Sequence, residues 1–189
     1  MEPSKDEINT AIEILKNGGV ILYPTDTVWG IGCDATNATA VSKIYKLKNR
    51  EETKAMICLV SDIKMLEKHI DTVPEAAYDI IEYADKPTTI IYDNPAGVAE
   101  NLIGIDNTLG IRIVSKGFSH QLVKYFRRPI VSTSANKSGE ITPRNFKEIS
   151  ADILASVDYV VNLPNEKSQA KPSSIIQIKK DGQVHVIRI

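Results

Sequence analysis

The stretch Gly18-Gly19-Val20-Ile21-Leu22-Tyr23-Pro24-Thr25-Asp26-Thr27-Val28-Trp29-Gly30-Ile31-Gly32-Cys33-Asp34 decides how the chain is organised. Val20 to Tyr23 is an apolar run suited to a buried strand, and it ends at Pro24, which fixes a turn. Thr25, Asp26 and Thr27 follow at the strand's end, where ligand pockets of α/β folds lie. Beyond the single tryptophan, Trp29, the glycines Gly30 and Gly32 let another segment or a ligand approach the backbone closely.

Upstream of this stretch, Ser4 and Glu7 form a capping box ahead of Ile8, Ala11, Ile12 and Leu15, which share one helix face, and Gly18-Gly19 ends that helix. Downstream, Val41, Ile44, Tyr45 and Leu47 predict a second helix that closes in the basic residues Lys46, Lys48 and Arg50. Met56–Val60 reads as the next strand, Asp62–Lys68 and Pro74–Tyr83 as helices, and Thr88–Tyr92 and Gly110–Val114 as strands rich in β-branched residues. A helix over Phe118–Phe126 leads to a strand at Ile130–Ser132, and Ser132–Gly139 is polar enough to read as a loop. One helix is expected over Asn145–Ala155 and a short strand over Tyr159–Leu163. Ser174–Ile178 and Val184–Ile189 are set to pair across Asp181-Gly182. Alternating strands and helices with a terminal hairpin predict a single α/β domain over residues 1–189 around a mixed sheet.

Composition narrows the function classes. A chain of 189 residues with 42% hydrophobic content can bury a real core, and 23 basic against 24 acidic residues leave a net charge of -1. Any cationic surface is therefore local, which disfavours a general nucleic-acid binder. Cys33 and Cys58 have neither metal-ligand spacing nor a disulfide framework around them, and read as small core residues of a reducing compartment. With no apolar signal region and no membrane-length stretch, a soluble cytoplasmic protein is expected. His69, His120 and His185 fall in surface-like segments and do not build a Ser-His-Asp arrangement.

Three clusters invite a functional reading, and each has a plain alternative. Gly30-Ile31-Gly32-Cys33-Asp34-Ala35 formally matches a dinucleotide fingerprint, but its glycines do not open a helix directly after the strand. Lys48, Arg50 and Lys54 are either a solvated helix end or a polyphosphate clamp, in which Arg50 grips two oxygens and the lysines act as point charges. The Ser132–Gly139 run is either a turn rich in local side-chain bonds or a set of hydroxyls and an amide for phosphate, ribose or base. No standard phosphate loop occurs.

Taken in order, Tyr23-Pro24-Thr25-Asp26-Thr27-Val28-Trp29-Gly30-Ile31-Gly32, Lys48-Asn49-Arg50, Gly110-Ile111-Arg112-Ile113, Ser132-Thr133-Ser134-Ala135-Asn136-Lys137-Ser138-Gly139 and Pro172-Ser173-Ser174-Ile175-Ile176 resemble the Sua5/YciO/YrdC family over nearly the whole chain. The resemblance implies a twisted mixed α/β fold around a large concave cleft of positive potential, in the short YrdC-like form without the additional C-terminal domain of long Sua5 proteins. It implies L-threonylcarbamoyladenylate synthase activity, a nucleotidyl transfer from ATP to a carbamate of L-threonine, feeding the t6A modification of tRNA. Chemistry of this kind needs positioning and cations more than a protein nucleophile.

By the same resemblance, Thr27, Arg112, Ser132 and Ser174 are placed at L-threonine, and Lys48, Arg50, Lys54, Thr108, Ser134, Asn136, Thr142 and Arg188 at ATP, with Lys48 and Arg50 as the catalytic cations. Mg2+ is expected to accompany ATP, without a dedicated metal site. The implied partners are ATP, L-threonine and bicarbonate, a downstream t6A-transfer complex, and no membrane. The sequence departs from the family's usual pattern at Ala55, where a proline is common, at Leu59, where many members have histidine, and over Tyr83–Thr89. An RNA-binding or ribosome-associated paralogue, taking tRNA or double-stranded RNA, is the alternative. A carbamoyl-transfer relative stands third.

Overall fold

The computed structural model describes residues 4–51, 56–163 and 171–189. Helix α1 (Lys5–Lys16) starts where the Ser4 hydroxyl accepts from the Asp6 amide, carries Asp6 and Glu7 in its positive first turn, and buries Ile8, Ala11, Ile12 and Leu15. Gly18, at φ +71, turns the chain into strand β1 (Ile21–Pro24), which folds back on β2 (Trp29–Gly32) in an antiparallel hairpin. Next come α2 (Ala38–Leu47), β3 (Ile57–Val60), α3 (Ile63–Leu66), α4 (Glu75–Tyr83), β4 (Thr88–Asp93) and β5 (Thr108–Ile113). The chain continues through α5 (Gly117–Phe126), β6 (Ile130–Ser134), α6 (Ala151–Ser156), β7 (Tyr159–Val160), β8 (Ser174–Ile178) and β9 (Val184–Arg188).

Among the described residues the nine strands form one mixed sheet in the order β7-β1-β2-β6-β3-β5-β4-β8-β9. The pairs β1/β7, β3/β5 and β4/β8 are parallel and the other five antiparallel. Because side chains alternate along a strand, the sheet sends two apolar sets to opposite faces. Leu22, Ile31, Cys58, Val60, Ile111 and Val131 pack with residues of α2 and with Leu66 and Ala77 of α3 and α4. Ile21, Tyr23, Leu59 and Ile130 pack on the other face against α1 and against Phe118, Leu122, Val123 and Phe126 of α5. These two helices cover only part of that second face. What they leave open becomes a cleft.

Two expectations change. Ser132–Gly139 is not a loop from its start: Ser132 to Ser134 complete β6, where Ser132 pairs with Ile57 and Ser134 with Gly30. Their polarity misleads because this part of the strand borders the cleft rather than a helix. The single helix over Asn145–Ala155 is instead a 3-10 turn, Phe146–Glu148, followed by α6. Asn145 caps the first piece through the Lys147 amide, Ser150 caps the second through Ile153, and each cap opens a new start. The break lets Phe146 lay its ring on Trp29 at a centroid distance of 5.0 Å.

Candidate active site

A cleft of about 240 Å³ opens on the second face, and no residue of α1 or α5 lines it. Its floor comes from strands whose side chains are small there. A Cβ added to Gly30 would meet Ser132 Oγ and Thr25 Cγ2 at 3.2 Å each, so the glycine makes room in the cleft itself rather than behind it. Gly32 is tighter still: a Cβ would stand 2.5 Å from the Val131 carbonyl oxygen. The stretch first suggestive of a dinucleotide fingerprint is thus a pair of sheet glycines.

The cleft is lined by Arg112, from β5, only 3% exposed. Its Nη2 donates to Asp26 Oδ1 at 2.9 Å and, more weakly, to Thr27 Oγ1 at 3.4 Å, while its Nε has no hydrogen-bond partner among the described residues. Thr27 is held in turn: its hydroxyl lies 3.0 Å from that of Thr25, which donates to the Val28 carbonyl. Ser132 lines the cleft beside them, and the buried phenol of Tyr23, whose pKa is raised by burial, donates to the Val131 carbonyl at 3.4 Å. Arg50, Ser134, Thr142 and Arg188 complete the polar lining. Arg188 reaches in from β9, donating through Nε and Nη2 to the Ser173 carbonyl at 3.0 and 2.8 Å. Burial and the Arg112 guanidinium lower its pKa, although it stays a cation.

Four residues assigned to the site do not line it. Lys48 is 1% exposed, and its ammonium donates to the carbonyls of Ser134 and Asn136. It therefore fastens the end of α2 to the segment after β6, and the Ser138 amide returns a bond to the Lys48 carbonyl. Asn136 also turns inward, its Nδ2 bonding the carbonyls of Lys137 and Glu140. Thr108 begins β5, four positions or roughly 13 Å of strand before Arg112, and its hydroxyl donates to Asp106. Ser174 is buried with its Oγ unpartnered among the described residues, while Ser173 and Ile175 line the cleft. Strand alternation explains this, since residues flanking Ser174 must face the side it does not. Lys54 lies outside the described residues.

Asp26, Thr25 and Ser173 went without roles in the sequence reading. Asp26 was visible as a carboxylate beside Thr27, but only the fold brings β5 across to supply its arginine. Ser173 precedes a second serine, Ser174, and strand phase alone separates the two. Among the described residues no group of three or more His, Cys, Asp or Glu could hold a metal ion.

The family described as telomere recombination (Sua5, YciO and YrdC) matches residues 13–189. The chain belongs to the Sua5/YciO/YrdC family. A Methanocaldococcus jannaschii relative is 34% identical over 98% of this chain and 88% of its own. The threonylcarbamoyl-AMP synthase of Hahella chejuensis is 33% identical, covering 89% of this chain and 91% of that one. The structure of E. coli YciO superposes with a TM-score of 0.86 at 25% identity, over 99% of this chain and 90% of YciO. That of P. abyssi Sua5 complexed with L-threonine does so with a TM-score of 0.82 at 23% identity, over 90% of this chain. This family member thus spans about half, 50%, of that Sua5 chain.

Proposed function

We infer that the chain is an L-threonylcarbamoyladenylate synthase, a nucleotidyltransferase that converts L-threonine, bicarbonate or CO2, and ATP into threonylcarbamoyl-AMP and pyrophosphate for t6A formation in tRNA. The observation that carries this reading is one cleft that gathers two kinds of cationic lining: a buried, paired Arg112 beside Thr27, and Arg188 with Arg50, Ser134 and Thr142. The first suits the α-carboxylate and hydroxyl of an amino acid. The second suits phosphates. Relatives named threonylcarbamoyl-AMP synthase in Hahella chejuensis and Xanthomonas euvesicatoria, at 33% and 30% identity, favour the synthase over an RNA-binding paralogue.

In this reading threonine's amine captures CO2 as a carbamate. A carbamate oxygen then attacks the α-phosphorus of ATP as the bond to pyrophosphate breaks, and Arg50 and Arg188 meet the charge that grows on the leaving group. No protein nucleophile takes part: Cys33 and Cys58 are fully buried, and burial raises both thiols well above their usual range. Lys48 serves by holding the Ser134–Asn136 segment in place. ATP enters with Mg2+, which its phosphates hold, since Asp26 beside the cleft is already engaged by Arg112. A t6A-transfer complex receives the adenylate. Among the described residues no helix is long and apolar enough to cross a membrane.

The test is pyrophosphate release from ATP by the purified protein. Release is expected to require both L-threonine and bicarbonate, and release independent of either would overturn the assignment.

A further inference from the structure

A second hollow, about 470 Å³ in volume, lies on the α4 side of the sheet, the face opposite the cleft. Its apolar wall is made by Ile80 and Ile81 of α4, Ile90 of β4 and Ile113 of β5, all members of the first apolar set or packed against it. Strand alternation turns Ile113 to this side just as it turns Arg112 to the other. Ala84 to Thr88 also line the hollow, and they fall in the Tyr83–Thr89 stretch where the sequence departs from the family's usual pattern. Ala84, directly after α4, contributes only a methyl group and leaves the room. Much of this wall is therefore built from what sets the chain apart, and the synthase reaction uses none of it. Asp26 lines this hollow and not the cleft. Its side chain is 8% exposed, its Oδ1 accepts from Arg112 Nη2 at 2.9 Å, and its Oδ2 has no hydrogen-bond partner among the described residues. A carboxylate oxygen so far out of water calls for a donor.

We propose that this hollow is a second ligand site, one that takes a zwitterionic α-amino acid with an aliphatic side chain. Its lining carries two carboxylates, Asp26 and Asp85, and two ammoniums, Lys86 and Lys116, around the isoleucine wall. Asp85, Lys86 and Lys116 form no ion pair among the described residues, so both signs of charge are left for a ligand. A simple cation would meet the lysines and a simple anion or a nucleotide would meet the carboxylates, whereas a zwitterion answers both. Its ammonium gives Asp26 Oδ2 the missing donor, its carboxylate faces the lysines, and its side chain covers isoleucine surface. A purely apolar molecule would shut Asp26 Oδ2 away from water with no partner at all. The volume falls in the range of roughly 300 to 1,000 Å³ found for small-molecule sites. Because Asp26 also holds Arg112, the hollow and the cleft meet through a single ion pair.

The proposal does not depend on the synthase reading, and its test is separate. L-Leucine is titrated calorimetrically into the full chain, with and without excess L-threonine, while the methyl resonances of Ile81, Ile90 and Ile113 are followed by NMR. Leucine is expected to bind in both conditions and to shift those methyls. On the wild-type protein, 3-methylbutylamine lacks leucine's carboxylate, 4-methylpentanoate its ammonium and glycine its side chain; each is expected to bind about tenfold or more weakly. Ala84→Trp, which places an indole in the hollow, is expected to abolish leucine binding while threonine binding persists. Displacement of leucine by threonine would put it in the cleft and overturn the proposal. So would the absence of leucine binding at millimolar concentration, 4-methylpentanoate binding as tightly as leucine, or unchanged leucine affinity in folded Ala84→Trp. If that variant fails to fold, the wild-type comparisons decide the matter alone. Failure of the wild type to bind threonine would remove the synthase reading and leave the leucine result standing.

Discussion

Replacing Lys48 with methionine isolates the energetics of a buried ammonium. The residue is 1% exposed, and burial, reinforced by the Arg50 guanidinium and opposed by Glu140, lowers its pKa from the usual 10.5 to about 8. In the unfolded chain the amine titrates at its ordinary value. Between these two pH values the unfolded state holds a proton that the native state has released, so stability rises with pH across the window. Below about pH 8 both states are charged, and the native state bears the whole cost of burying that charge. The difference between 10.5 and about 8 corresponds to about 3 kcal/mol. Lys48→Met carries no such dependence. At neutral pH it gives up two hydrogen bonds from a charged donor, each worth about 1.5 to 3 kcal/mol, but is relieved of the buried charge, so its net change there is within about 2 kcal/mol. Urea unfolding of both proteins from pH 7 to 10.5 is the assay. The stability of the wild type minus that of the variant is expected to climb by about 3 kcal/mol over this range. Subtraction cancels Cys33, Cys58, Tyr23 and Tyr92, whose raised pKa values act in the opposite direction. A flat difference would refute the reasoning, placing the ammonium in water and leaving it available to phosphate after all.

Gly32→Ala forces a Cβ to 2.5 Å from the Val131 carbonyl and 2.7 Å from Tyr23 Cε1, and is expected to cost about 3 kcal/mol or more. Gly30→Ala meets flexible side-chain ends at 3.2 Å, so it should fold and instead raise substrate KM; thermal melts of the pair separate the two effects, and equal melting temperatures would contradict the strand spacing. Ser173→Ala is expected to raise KM and to leave the Thr89 hydroxyl, 2.8 Å away, without its partner. Ser174→Ala removes a buried hydroxyl with no hydrogen bond among the described residues and should stabilise the fold by about 1 kcal/mol with unchanged kinetics; the reverse pattern would mean that β8 runs in the other phase. Arg50→Ala should lose a charge-assisted phosphate contact of about 1.5 to 3 kcal/mol, read as a raised ATP KM at constant threonine KM, and an unaltered ATP KM would remove Arg50 from the phosphate contacts.

Much of the fold was legible because local chemistry and tertiary structure agree. Ser4 and the glycines Gly18-Gly19 bound α1 as capping chemistry requires, and Asp181-Gly182 lies between β8 and β9, with Gly182 at φ +85. Misreadings arose where side chains face the cleft, because polarity along Ser132–Gly139 signals a loop on any local measure although Ser132 pairs with β3 and Thr133 and Ser134 pair with β2. Site residues followed the same division. Thr27, Arg50, Arg112, Ser132, Ser134, Thr142 and Arg188 do line one cleft, whereas Lys48, Asn136, Thr108 and Ser174 serve the scaffold or face elsewhere.

By itself, then, the sequence determined the α/β class, the limits of most elements and the family, since periodicity, caps and ordered motifs are local properties of the chain. Only the tertiary structure decided which of those polar residues meet. The partnership of Asp26 with Arg112, 86 positions apart, and of Lys48 with the carbonyls of Ser134 and Asn136 depends on strand order and register. Those long-range contacts give one buried arginine its counter-charge and turn one lysine inward, because a charge taken out of water must find its partner wherever the fold has placed it.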